Sequence, residues 1–249
     1  YLIYLIDHSI SHNISEVINK DFISATSETP REIVLKKLDQ KIKAIPVLDE
    51  KGRVLDIITN DNFPLSKEQS LFYRARSPVR VSFGGGGSDL THFFEEHGGA
   101  VMNATLSIYS HATLRVRSDK EVHIDSQDLN NSLILKDIDS SHKDEDDFRL
   151  ILAVIRTIRP KFGFDLFLYS DYPQNSGLGG SAVVSASILG CFNQLRHDPW
   201  TKIEIAELAF QAERINLNIA GGWQDQYATT MGGFNFMEFK TSGNLIHPV

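Results

Sequence analysis

One cysteine, Cys191, stands in 249 residues, so no internal disulfide can form and no set of thiols exists for a structural zinc site. Long apolar runs are also missing. Stretches such as Leu150 to Ile155 fall far below the roughly 18 residues that span a bilayer. The opening Tyr1 to Ile6 has no basic n-region and no small-residue cleavage site, which excludes a signal peptide reading. Positive charge is in deficit: 25 Lys and Arg face 32 Asp and Glu, a net charge of −7. The deficit holds on both sides of Ser70, with 9 cations against 11 acids before it and 16 against 21 after it. Neither part is a basic module, so nucleic acid is not an expected partner. The expectation is a protein of the reducing cytoplasm with no membrane partner. The start without Met and the featureless stop at Val249 read as a piece of a longer chain.

What is present suits a folded body. Hydrophobic residues at 41% and charged residues at 23% are ordinary for a globular chain, and the length allows one large domain or two modest ones. In the first part, Thr29-Pro30 reads as an N-cap with proline at the first helical position, and Ile33, Val34 and Leu38 follow at helical spacing. Ala44 to Leu48, the turn Asp49 to Gly52 and Val54 to Thr59 then predict strand, turn and strand. The polar, proline-bearing Phe63 to Ser70 predicts a domain boundary.

Beyond it strands alternate with helices. Tyr73 to Phe83 reads as a strand, Ser88 to His97 as a helix capped by Ser88 or Asp89, and Ala100 to Arg117 as two strand-like stretches. Asp137 to Asp147 reads as a solvated acidic loop, Asp147 to Arg159 as an amphipathic helix closed by Pro160, and Phe164 to Tyr169 as a strand. A helix from about Ser181 to Arg196 follows a glycine-rich loop, and Thr201-x-x-Glu204 predicts a capping box for the next. His92, His97, His111 and His123 show no metal-ligand spacing.

The sharpest local feature is Pro173-Gln-Asn-Ser-Gly-Leu-Gly-Gly-Ser-Ala182, between the predicted strand and an apolar helix. Three glycines within four residues let the backbone turn sharply and bring its N–H groups to a ligand. The following helix start adds orphan donors and a positive dipole end, both suited to phosphate. No Lys follows the glycines, so this is not a Walker A loop, and Ser181 and Ala182 break the dinucleotide fingerprint. The residues alone leave two readings open, a phosphate cradle and a plain strand-to-helix turn.

That segment resembles the ATP-binding motif of the GHMP kinases, a superfamily that phosphorylates galactose, homoserine, mevalonate and related alcohols. Two further segments agree in order: Ser77 to Asp89 is similar to the superfamily's N-terminal substrate motif, and Glu213 to Ala228 to the segment with its magnesium-associated glutamate and catalytic aspartate. Gly221-Gly-Trp-Gln-Asp-Gln-Tyr-Ala228 with Gly232 to Phe239 resembles the D-glycero-D-manno-heptose 7-phosphate kinase branch. The resemblance implies an α+β domain over residues 72–249, of ribosomal-S5-like fold with a left-handed β-α-β crossover. Residues 1–68, with Ile45-Pro-Val-Leu-Asp49 and Ile57-Ile-Thr59, resemble one CBS repeat, and Val17 to Phe22 the entry to it. Such repeats hold adenosyl ligands through a Thr and an acid three positions on; here the pair would be Thr59 and Asn62, and Asn is not an acid. Pairing of this segment would give a homodimer.

The resemblance also implies the site. Pro173, Ser176, Gly177, Leu178, Gly179, Gly180, Ser181 and Ala182 would bind ATP, with Ser181 and Glu213 holding Mg²⁺. Asp225 would accept the proton of a sugar hydroxyl beside Arg80, and Gly86, Gly87, Ser88, Asp89, Gly221 and Gly222 would hold the sugar or sugar phosphate. Plainer readings stand beside these: Glu213 paired with Arg214 on a helix, Asp89 as an N-cap, Arg80 snorkelling from a strand. The expected activity is phosphoryl transfer to the anomeric hydroxyl of the heptose phosphate. A galactose- or fucose-type kinase and a nucleotide-sensing protein without catalysis are the alternatives. The superfamily's C-terminal domain, with a second glycine-rich motif, is not found before Val249, so weak turnover is expected of this segment alone.

Overall fold

A computed structural model describes residues 22–38, 42–59, 72–140 and 146–241. The N-terminal unit comprises β1 (Ala25–Thr26), α1 (Arg31–Lys37), β2 (Ala44–Leu48) and β3 (Val54–Thr59). Its sheet runs β1-β2-β3, parallel then antiparallel, over a small core that includes Ala25, Val34, Leu38, Ile45, Val47 and Ile58. Thr29 does not cap α1. Pro30 takes the cap position without a side-chain bond, and the Thr29 hydroxyl instead accepts from the Thr26 amide at 2.9 Å, closing the preceding turn. Residues 17–21, Asn62 and the expected boundary at Phe63 to Ser70 lie outside the described residues, as does part of the acidic run, 141–145.

The larger unit contains β4 (Phe72–Gly84), α2 (Thr91–His97), β5 (Gly99–Val116), β6 (Val122–Ser126), β7 (Asn131–Leu135), α3 (Arg149–Ile158) and β8 (Phe164–Ser170). It continues with α4 (Gly180–Asn193), α5 (Lys202–Phe210), a π-helical turn at Gln211–Asn216, α6 (Gln224–Met231) and β9 (Phe234–Phe239). The mixed sheet is ordered β4-β5-β8-β6-β7, with β9 on the first half of β5. Strands β6 and β8 are parallel and are joined through β7 and α3, a β-α-β unit.

Two expectations are corrected here. Ala100 to Arg117 is one strand, not two: β9 pairs with its Gly99–Ala104 end and β8 with its Ser110–Val116 end, so its neighbours change midway. Helix α2 begins at Thr91 behind Leu90 with no side-chain cap, and Ser88 and Asp89 precede it with other duties. The capping box does form, with Thr201 accepting from the Glu204 amide and Glu204 from the Thr201 amide.

Packing follows from the pattern. Inward residues of β6 and β8 such as Ile124 and Leu166 meet Leu152 and Ile155 of α3 and Ile188 and Leu189 of α4 in one large core, to which α1 adds Leu35. A second core joins α2, α6 and β9 through Phe94, Tyr227 and Met237. Between these cores the start of α4 faces the start of α6, and that is where the chemistry-bearing residues converge. No helix among the described residues is long and apolar enough to cross a membrane.

Candidate active site

The loop 171–179 leaves β8 and turns into α4 through left-handed backbone at Asn175, Gly177 and Gly179. Gly179 is the N-cap residue of α4, at φ +78°, and no side chain caps the helix. The first amides of a 14-residue helix therefore open into the loop, the arrangement that draws anions. Strand β4 straps the loop in place: the Arg80 amide donates to the Leu178 carbonyl at 3.3 Å, and Arg80 Nη1 donates to the Gly177 carbonyl at 3.0 Å.

Arg80 does more than strap. Its Nε and Nη2 both bond Oδ1 of Asp225, at 2.8 and 2.7 Å, from 145 positions away in the chain. Asp225 lies in the first turn of α6, where a negative charge suits the helix dipole. A Cβ built on Gly179 would stand 3.3 Å from the Asp225 carboxyl and 3.4 Å from Arg80 Cζ. Glycine is thus required at this position on two grounds, the left-handed φ and the closeness of the ion pair.

Two residues on, the Ser181 hydroxyl donates a very short bond to Oε1 of Glu213. Glu213 sits on the π-helical turn and is 2% exposed. Its other oxygen accepts from Gln226 Nε2 at 2.8 Å, and Arg214 Nη1 lies 3.0 Å from Oε1. The ion pair with Arg214 and the approach to Ser181 therefore coexist. The extra residue of a π turn redirects the side chains beyond it, and such turns recur at functional sites.

Two cavities flank the loop, and Gly177 lines both. The first, about 410 Å³, is walled by Gly179, Gly180 and Ser181 on one side and by Leu129, Leu150 and Ile151 on another. Tyr172 also lines it; burial pushes its phenol pKa up. The second, about 600 Å³, holds Arg80, Asp225, Asp89 and Arg214 with Gly86, Gly87, Leu178, Gly221 and Gly222.

Asp89 is buried as a brace: Oδ1 accepts from the Gly87 amide and Oδ2 from the Gln224 amide, each at 3.0 Å. Gly222 passes so close that a Cβ would overlap Asp89 Oδ2 at 1.9 Å. Ser88 does not reach the cavity. Its hydroxyl donates to the Gly85 carbonyl at 2.7 Å and accepts from the Ala100 amide at 3.1 Å, pinning the glycine turn to β5. Ala182 is fully buried in α4, and neither it nor Pro173 lines either of these two cavities, whereas Ser176 lines the first.

Sequence reasoning named Arg214 only as a partner for Glu213, and missed Gln224, Gln226 and the Leu129, Leu150 and Ile151 wall. The signal available for the glutamines was a helix start carrying two amides in a buried segment, Gln224 at 5% and Gln226 at 0% exposure. Among the described residues no group of three His, Cys, Asp or Glu could hold a metal ion. The donors at Ser181 and Glu213 are instead few, hard oxygens, which suits a Mg²⁺ shared with phosphate oxygens.

Residues 149–233 match the model for the GHMP kinases N terminal domain, and residues 14–63 match the CBS domain. The chain is 38% identical over 177 residues to the D-glycero-alpha-D-manno-heptose 7-phosphate kinase of Campylobacter jejuni, covering 70% of this chain and 52% of that one. It is 25% identical over 191 residues to the L-fucokinase/L-fucose-1-P guanylyltransferase of Bacteroides fragilis, covering 66% and 20%. Among solved structures, a D-glycero-D-manno-heptose 1-phosphate kinase from Bacteriodes thetaiotaomicron superposes with a TM-score of 0.64 at 31% identity, over 72% of this chain and 60% of that one. The chain spans about half the length of the first of these relatives, 52%. The loop, the buried glutamate and the aspartate all fall within the stretch 149–233 that matches the GHMP kinase N-terminal domain, and the stretch similar to the CBS domain precedes it.

Proposed function

We propose that the protein to which this chain belongs transfers the γ-phosphoryl group of ATP to the anomeric hydroxyl of D-glycero-D-manno-heptose 7-phosphate. The observation that carries this reading is the convergence of the Arg80–Asp225 pair on Gly179 and of Glu213 on Ser181, two positions apart in one loop-to-helix turn. Phosphoryl transfer asks a protein for positioning and charge stabilisation more than for covalent chemistry. The open amides of α4 would take the phosphates, with the nucleotide body against Leu129, Leu150 and Ile151. The sugar would occupy the second cavity, beside Asp89 and Asp225.

Within Asp225 the two oxygens divide the work. Arg80 engages Oδ1 twice and fixes the carboxylate, while Oδ2 has no hydrogen bond among the described residues and faces Gly179. Oδ2 takes the hydroxyl proton as the sugar oxygen bonds to the γ-phosphorus and the bond from that phosphorus to the ADP oxygen breaks. Arg80, with one edge of its guanidinium donating to the Gly177 carbonyl, supplies positive charge beside the transferred group. Ser181 and Glu213 are the residues that would hold Mg²⁺, which when bound offsets phosphate charge.

The sugar named in the Campylobacter jejuni relative supports the choice of acceptor. The test is ADP release by the full-length protein from ATP, with and without the heptose 7-phosphate. Sugar-dependent release is expected. Equal release in both, or none with this sugar and brisk release with galactose or fucose, contradicts the acceptor assignment.

A further inference from the structure

Each charged side chain that lines the second cavity is tied to the protein. Arg80 holds Asp225 and the Gly177 carbonyl. Asp89 accepts from two backbone amides. Arg214 pairs with Glu213 and donates to the carbonyls of Ala220 and Gly222. The neutral polar side chains of the lining are Ser82 and Gln224. Ser82 is exposed, so water can serve its hydroxyl. Gln224 has no such recourse.

Gln224 is the first residue of α6 and is 5% exposed. Its side-chain amide makes no hydrogen bond among the described residues, and Nε2 is buried without a partner. The amide faces the glycine turn: Oε1 stands 4.0 Å from where a Cβ on Gly86 would be. Buried polar groups are almost always paired, and one left unpaired is destabilising. The helix cannot turn this one outward. The Gln224 backbone N–H is held by Asp89 Oδ2 at 3.0 Å, and Tyr227 and Ala228 fix the same helix in the second core.

An unpaired primary amide at the wall of a cavity suits a particular kind of ligand group. It both donates and accepts, and so does a hydroxyl. A phosphate, which only accepts, would engage the nitrogen alone, and an apolar surface would engage neither atom. In the chain Gln224 directly precedes Asp225, whose Oδ2 is the other group in this lining without a hydrogen bond.

We infer that Gln224 is a specificity-determining residue of the second cavity, its side-chain amide binding a sugar hydroxyl other than the one that reacts. The inference rests on that cavity being the sugar's, as proposed above. A site built to pair a hydroxyl penalises a substrate that lacks it, because the protein group is then left buried and unpaired.

The experiment compares the full-length protein with Gln224→Met, which keeps the length of the side chain and removes its hydrogen bonds. Steady-state rates are measured with heptose 7-phosphate, galactose and fucose, and with the monodeoxy analogues of whichever is accepted. In the variant, KM for the sugar should rise roughly tenfold or more, each tenfold being about 1.4 kcal/mol, while KM for ATP holds. One monodeoxy analogue should weaken the wild type by a similar factor and the variant no further, as for a pair broken from either side. The variant should melt at or above the wild type, since it removes an unpaired buried group. A sugar KM equal to that of the wild type overturns the inference, as do monodeoxy analogues that all weaken both proteins alike. A lower melting temperature with a rise in both KM values also overturns it, by marking a structural role. Failure of the acceptor assignment reads differently: the wild type turns over galactose or fucose and not the heptose phosphate, and the same comparison on that sugar decides Gln224. A wild type that phosphorylates none of the three overturns both.

Discussion

The two cavities beside the glycine loop share a wall and little else. One is backed by Leu129, Leu150 and Ile151, side chains that accept a flat, apolar body and ask nothing of its hydroxyls. The other is edged by Arg80, Asp89, Arg214 and Asp225, groups that read hydroxyls and charge. Gly177 borders both, and the α4 amides open at the boundary between them. A phosphoryl group crossing from one molecule to another needs such a boundary, one thin enough for two ligands to meet. Glycine supplies the thinness: at Gly179 even a methyl group would press on the Arg80–Asp225 pair.

The contrast can be broken from the sugar side first. Asp225→Asn should lower kcat by roughly 10²–10⁴, the range for loss of a general base, with KM for ATP little changed. Near-native turnover in a steady-state assay would remove Oδ2 from the mechanism. Gly179→Val attacks the shared wall. Its branched side chain is strained at φ +78° and meets Asp225 at 3.3 Å, so ATP binding measured by calorimetry should fall on the order of 100-fold, about 3 kcal/mol. Unchanged nucleotide affinity would show that the wall is not where ATP sits.

Asp89→Ala separates the two sides more finely. It strips partners from the Gly87 and Gln224 amides, at about 1–3 kcal/mol for a buried donor left unsatisfied. KM for the sugar should rise roughly tenfold while KM for ATP holds, because the brace belongs to the second cavity alone. A rise in both would mean that the two sides are not independent.

The smallest effect concerns the core behind the loop. Cys191 is fully buried in α4, its thiol donating to the Ala112 carbonyl at 3.2 Å, and burial pushes its pKa up to about 12. The native thiol should resist a thiolate-selective reagent at pH 8 and react once the chain is unfolded. The sign follows from linkage. With the folded pKa above the unfolded value of 9.0, the contribution is whole below pH 9 and is lost as pH rises toward 12. Rapid labelling of the native chain would show that α4 opens easily, and the comparison of rigid walls would weaken.

How far the sequence carried this depends on the range of each interaction. The capping box at Thr201 and Glu204 was legible because both partners lie within one turn. The glycine loop was legible for the same reason, since its left-handed residues and the helix it opens are contiguous. The option of Asp89 as a helix cap, offered beside its sugar-binding reading, fails because its partner Gln224 lies 135 positions away, and no local pattern announces it. The long strand β5 looked like two because its two halves face different neighbours, β9 and β8, and so follow different burial patterns. The π turn that aims Glu213 leaves no mark on apolar periodicity over six residues. Resemblance, rather than spacing, had named Ser181, Glu213, Arg80 and Asp225, and it is tertiary packing that brings them to one turn.

The division of labour between the cavities is open to a direct test by photolabelling with 8-azido-ATP and mapping of the modified peptides. The azide should mark the wall formed by Leu129, Leu150 and Ile151, and unmodified ATP should protect it. Labelling concentrated instead on the peptide from Gly221 to Asp225 would place the base on the sugar side and contradict the account.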